Sequence, residues 1–180
     1  MPIPKDIASL LLCGILSDTL ILQSATVTEV DKETAQYLSD ITNLNIKELG
    51  NEILLAGSRI SGRAAGDLVR QDMKEYQEGK VAYTASQIEV GNPKEILDRK
   101  DEFMAELEIE RRSHKALFSC LLVTDITKLS SMLLMDCDSK FDDFITFQKM
   151  DEDVYYLKDV VSRKKQLIPL LTEQVLNYQK

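Results

Sequence analysis

Tryptophan is absent from the 180 residues, histidine occurs once, at His114, and there are only seven glycines and four prolines. So little Gly and Pro excludes a collagen-like or low-complexity chain. Basic residues are also in short supply: 22 Lys and Arg stand against 30 Asp and Glu, a formal net charge of -8. A general nucleic-acid sleeve needs the opposite balance, so nucleic acid is not an expected partner. An acidic chain can still hold an anion, but only through a local basic cluster or a metal. The three cysteines, Cys13, Cys120 and Cys137, lie far apart and form no C-x-x-C pair. An odd number of separated thiols with no secretion signal reads as free cysteines in a reducing cytoplasm. With a single histidine to help them, they make a poor zinc set.

Long apolar runs are missing too. Residues 7–16 (IASLLLCGIL) resemble a leader at first sight, but these ten residues are half of what a membrane span needs. Asp18 closes the run, only Lys5 precedes it, and no small-residue cleavage pattern follows. Membrane association is therefore not expected. Apolar on every face, the run reads as a buried core helix.

What is present is an ordinary globular balance of 44% hydrophobic and 29% charged residues. The length suits one domain, or a small domain with part of another. Thr28 with Asp31 forms a capping box, and Ala35, Leu38 and Ile41 carry that helix to about Thr42. Ile46, Leu49, Ile53 and Leu54 predict another helix, ending at Gly57. Residues 58–66 (SRISGRAAG) read as a linker.

Beyond it the pattern changes. Residues 75–90 predict two strands joined near Glu78-Gly79, and Asn92-Pro93 starts a helix reaching about Arg112. Its apolar side holds Ile96, Phe103, Met104, Leu107 and Ile109. Residues 116–126 and 131–137 have the length and composition of buried strands. Residues 136–153 read as acidic and irregular, 154–161 as an edge strand, and 167–178 as a terminal helix. The expected class is α/β: a mixed sheet flanked by helices in residues 67–180, after a helical segment, residues 1–57, that lacks a sheet of its own. Residues 5–57 are expected to pack loosely and to favour self-association, with a homodimer as one outcome.

Two clusters could carry chemistry. Asp18 ends an all-apolar helix, where desolvation penalises a bare carboxylate. Backbone N–H groups could compensate, and so could a divalent cation. The second cluster is Ser162-Arg163-Lys164-Lys165-Gln166. Ser162 suits an N-cap, yet three cations in a first turn oppose the helix dipole. An anion held there by free N–H groups, the Arg163 fork and a Lys would account for them. A solvated basic turn, or a counterweight to residues 136–153, would do so equally. Lys74 at the entrance of the first strand, taken alone, is an ordinary solvated lysine. His114 reads as a dipole partner at a helix exit, and Tyr155-Tyr156 as strand packing rather than a base-stacking platform.

Residues 7–28 (IASLLLCGILSDTLILQSATVT), DMKEY at 72–76, LVTDI at 122–126 and VVSRKKQLIP at 160–169 fall in one order. In that order the chain resembles the C-terminal part of the family II, manganese-dependent inorganic pyrophosphatases, members of the DHH phosphoesterases. The resemblance implies the tail of a DHH domain followed by the DHH-associated domain. It places a metal-ligating aspartate on Asp18 and phosphate-gripping residues on Lys74, Arg163 and Lys164. It implies manganese as cofactor, with cobalt or magnesium as substitutes, and pyrophosphate or phosphate as ligand. The family's remaining metal ligands, including its Asp-His-His motif, belong to an N-terminal half that these residues do not contain. Gln23 and Ala25 also depart from the Lys and Pro the family usually shows after that aspartate. An exopolyphosphatase of the same superfamily, or a non-catalytic anion- or partner-binding module, are the alternatives. With one candidate ligand, the 180 residues alone are expected to bind phosphates and not to hydrolyse them.

Overall fold

The computed structural model describes residues 3–24, 27–57, 60 and 62–180. Ala25, and residues 58, 59 and 61 of the expected linker, lie outside the described residues. The chain divides into two compact units, Met1–Arg59 and Ile60–Lys180.

The first unit holds α1 (Lys5–Asp18), α2 (Glu29–Thr42) and α3 (Ile46–Gly57). Helix α2 begins as expected: the Thr28 hydroxyl accepts from Asp31 N–H, and the Asp31 carboxylate accepts from Thr28 N–H at 2.8 Å. Replacing Thr28 by Ala should lower the stability of this unit by about 1 kcal/mol, read from its urea midpoint. Asn45 caps α3, accepting from Lys47 and Glu48 N–H at 2.9 and 3.1 Å.

Two expectations for this unit need correction. The helices do form a core of their own, with Ala8, Leu12, Leu16 and Ala35 fully buried and Leu38 nearly so. Helix α1 is not buried all round either. It uses one stripe, while Ile7, Leu10 and Leu11 are 44%, 69% and 50% exposed.

After Asp18 the backbone turns left-handed for three residues running, Leu20, Ile21 and Leu22, with φ of 48°, 56° and 60°. Each costs about 1–2 kcal/mol in a chain of L-residues. The Thr19 hydroxyl offsets part of this, donating to Ile15 O at 2.6 Å and accepting from Leu22 N–H at 3.1 Å. Gly50 of α3 lies against this turn, where a Cβ would come within 2.7 Å of Ile21.

The second unit contains α4 (Ala65–Gln71), β1 (Lys74–Glu78), β2 (Val81–Val90), α5 (Lys94–Leu97), α6 (Lys100–Ser113), β3 (Phe118–Asp125), β4 (Ser130–Cys137), α7 (Ser139–Asp142), β5 (Gln148–Asp151), β6 (Val154–Leu157) and α8 (Ile168–Tyr178). One six-stranded sheet runs in the order β1-β2-β3-β4-β6-β5. The β2–β3 pair is parallel and the others antiparallel, so the sheet is mixed. All eight residues of β3 are buried, as a strand covered on both faces requires. On one face α4, α5 and α6 cover Ile88, Val90, Leu121 and Val123 through Leu68, Ile96, Phe103 and Leu107. On the other, α8 and the turn before it cover Tyr83, Phe118, Leu122 and Leu133 through Leu167, Leu171 and Val175. An aromatic column crosses this second face: Tyr76 on Tyr83, Tyr83 on Phe118 and Phe118 on Phe141, with ring centroids 5.3, 4.7 and 4.9 Å apart.

The elements differ from expectation in four places. Ala65 and Gly66, read as linker, are buried in α4. The long helix breaks between α5 and α6, where Arg99 leaves helical geometry with φ -117° and ψ 21°. Ile109 is exposed, and Glu110 is buried instead, because Arg70 of α4 reaches its carboxylate at 2.9 Å. Strand β6 is not an edge: β5, from the stretch read as irregular, pairs outside it. Among the described residues no helix is long and apolar enough to cross a membrane.

Candidate functional site

Ser162 accepts from Lys165 N–H and opens a single wide turn, Arg163–Leu167, in which residues bond five positions back. Gln166 and Leu167 N–H both donate to Ser162 O, at 3.0 and 3.1 Å. Pro169 follows in the first turn of α8. Proline has no N–H to donate and crowds the carbonyl four residues earlier. A widened turn ahead of it lets the helical path start at Ser162 and still hold Pro169.

Side chains from three directions fasten this turn. Gln166 accepts from Val161 and Ser162 N–H, at 2.9 and 3.0 Å, and donates to Asp159 O at 2.7 Å. From the sheet, Gln87 accepts from Arg163 N–H at 2.8 Å and donates to Val161 O at 3.0 Å. Ser131 donates to Val160 O at 2.5 Å.

Arg163 points inward and is only 8% exposed. Its guanidinium donates to the Asp72 carbonyl and to Ala85 O, and it pairs with the Asp72 carboxylate at 3.1 Å. Its Nε is buried without a partner among the described residues. The expected anion cradle of free N–H groups and an open Arg fork is therefore not met in that form. Arg163 N–H goes to Gln87, Lys165 N–H to Ser162, and the fork to Asp72 and Ala85. Exposed charge at the turn comes from Lys164 and Lys165. The turn does not balance the acidic stretch either: Asp136 pairs with Arg111 and Asp151 with Lys100.

Lys74 is the first residue of β1 and exposed, rather than ahead of the strand. It pairs in register with Ala85, the residue whose carbonyl receives Arg163. By strand alternation it shares the face of Tyr76, on which the Arg163–Leu167 turn also packs. Lys74 and Arg163 thus meet at one residue of β2, and exposed Lys164 is the next residue in the turn.

Asp18 belongs to the other unit. It ends α1 exposed, not desolvated as its apolar flank suggested, and among the described residues no hydrogen bond or ion pair reaches its carboxylate. No group of three His, Cys, Asp or Glu residues suited to a metal gathers among the described residues. One carboxylate does not hold a divalent ion in a defined geometry, so these residues do not by themselves fit manganese.

His114 caps α6 with Nδ1 2.9 Å from Glu110 O, in keeping with a helix-exit role. Cys120 and Cys137 offer no ready nucleophile. Burial holds the Cys120 thiol protonated against the opposing charge of Arg163, and burial with neighbouring aspartates pushes Cys137 up to about 11. Sequence reasoning missed Asp72, Gln87, Ser131 and Gln166 as partners of the basic turn. Gln87 alone left a trace, a polar side chain at an inward position of the buried run VAYTASQIEV.

Residues 51–174 match the family model of the DHHA2 domain. A probable manganese-dependent inorganic pyrophosphatase of Lactobacillus delbrueckii subsp. bulgaricus is 36% identical over 176 residues, 96% of this chain and 56% of that protein. One from Staphylococcus epidermidis is 36% identical over 173 residues, covering 95% and 56%. Among solved structures, a Methanococcus jannaschii protein assigned to the family II inorganic pyrophosphatases aligns with a TM-score of 0.65 at 30% identity, over 97% of this chain and 57% of that one. The chain thus spans about half the length of the curated relatives it matches.

Proposed function

This chain belongs to the DHHA2 domain family, and we propose that it is the phosphate-gripping portion of a manganese-dependent inorganic pyrophosphatase, which cleaves pyrophosphate to two phosphates. The observation that carries the reading is that Lys74 and Arg163 meet at Ala85, with exposed Lys164 next to Arg163 in the turn. In this reading the exposed ammonium groups of Lys74 and Lys164 meet phosphate oxygens. Arg163 holds the turn that presents Lys164, and its charge adds to the field from behind. Asp18 contributes one hard oxygen donor toward manganese, which when bound supplies Lewis-acid chemistry. The other ligands are assigned to the share of the relatives' length that this chain does not span. A cytoplasmic setting and a homodimer complete the reading; exposed Ile7, Leu10 and Leu11 favour self-association of the helical unit.

Calorimetric titration of the purified chain tests this. Pyrophosphate should bind, and Lys164→Ala or Lys74→Ala should each weaken it roughly tenfold. Phosphate release from pyrophosphate with excess manganese should stay at the uncatalysed level. Preference for tripolyphosphate over pyrophosphate would move the reading to an exopolyphosphatase. No binding of either would leave a module for another partner.

A further inference from the structure

We infer that Gln87 is a positioning residue for the proposed clamp, its amide setting the direction in which Lys164 leaves the basic turn. The inference rests on the reading that this turn grips phosphate. Gln87 sits in β2, whose inward positions are otherwise apolar or short hydroxyl side chains. Gln87 is half-buried, and a primary amide partly withdrawn from water is tolerated best when its donors and acceptor are matched. Here they are. Oε1 accepts from Arg163 N–H at 2.8 Å, while Nε2 donates to Val161 O at 3.0 Å and to Thr124 Oγ1 at 3.2 Å. The reversed amide would set N–H against N–H and oxygen against oxygen, so the chemistry selects this orientation.

The two backbone bonds lie on either side of Ser162, and their partners are 76 and 74 residues from Gln87 in the chain. They fix the peptide planes that lead into and out of the N-cap. Thr124 is itself 3.1 Å from Ser131 Oγ, which holds Val160 O. The network Gln87–Thr124–Ser131 thereby ties three successive strands of the sheet to residues 160–163. Fold stability does not depend on where Lys164 points, but phosphate affinity does. A residue that fixes the turn without touching the ligand should therefore affect binding beyond its effect on folding.

The test uses the full chain, with inorganic pyrophosphate as probe, under conditions where urea titration shows every variant fully folded. Gln87→Met keeps the length and removes the bonds, and should weaken binding about tenfold or more, as Lys164→Ala does. Gln87→Glu keeps an acceptor for Arg163 N–H but turns an oxygen toward Val161 O. Protonated, its carboxyl supplies the missing O–H donor. Its dissociation constant, divided by that of the wild type at the same pH, should be high at pH 8 and fall toward one as the side chain protonates in more acid buffer. This ratio also decides the matter if Gln87→Met does not fold. Wild-type affinity in both Gln87 variants, with binding lost in Lys164→Ala, overturns the inference and leaves the clamp standing. Wild-type affinity in Lys164→Ala and Lys74→Ala as well overturns the clamp itself.

Discussion

Replacing Arg163 by alanine is expected to destabilise the chain by about 2–3 kcal/mol and to abolish measurable pyrophosphate binding, whereas Lys164→Ala should change stability by less than about 0.5 kcal/mol. The two cations are neighbours in sequence but differ in what they touch. Arg163 is 8% exposed and is the donor to the Asp72 and Ala85 carbonyls. Removing it leaves two carbonyls and a carboxylate short of a partner, and the Asp72 side chain, about half exposed, recovers only part of this from water. Lys164 is exposed, and in the proposed reading its loss is a loss of field at the ligand. Arg163→Lys should fall between them, since an ammonium cannot span both carbonyls as a planar fork does. Urea unfolding followed by circular dichroism, paired with calorimetric titration, separates the two roles. Equal stability of the two alanine variants would remove the distinction between an anchoring and a presenting cation.

Phe118→Ala should be the more damaging change to the fold, costing about 3–5 kcal/mol and lowering the melting temperature by about 10 °C. Phe118 is fully buried at the middle of the aromatic column, with Tyr83 at 4.7 Å on one side and Phe141 at 4.9 Å on the other. Its truncation leaves a ring-sized void between two rings held by separate elements, β2 and α7, which cannot close on one another without moving the sheet. Ile109→Ala, on the exposed side of α6, is the matched control and should stay within about 0.5 kcal/mol. A Phe118→Ala melt within 2–3 °C of wild type would mean that the column is replaceable packing.

The parts of this structure legible in the sequence are those decided locally. The Thr28–Asp31 box, the Gly79 turn between β1 and β2, and the apolar runs of β3 and β4 each carry their cause within a few residues. Helix α4 escaped because it is seven residues long and its buried side includes Ala65 and Gly66, small residues that also suit a linker. Strand β5 is exposed at all four positions and so lacks any alternation to read. Ile109 and Glu110 exchanged expected places because the decisive partner, Arg70, is 40 residues away. The basic turn was visible from its breach of the dipole rule, and Lys74 through resemblance. That Arg163 faces inward follows from Asp72 and Ala85, 91 and 78 residues distant, which no local pattern encodes.

Those same separations set an order of events during folding. The β1–β2 and β3–β4 hairpins close over two- and four-residue connections, and such contacts form in microseconds. The Arg163 anchor instead joins segments 91 residues apart, a closure whose entropy is recovered only once the sheet between them exists. The Arg163 anchor, and with it the proposed clamp, should thus be among the last features to form, after most of the native surface is already buried. A refolding chain would acquire its secondary structure and its aromatic column before any affinity for phosphate, so ligand capture in a stopped-flow experiment would report the final kinetic phase.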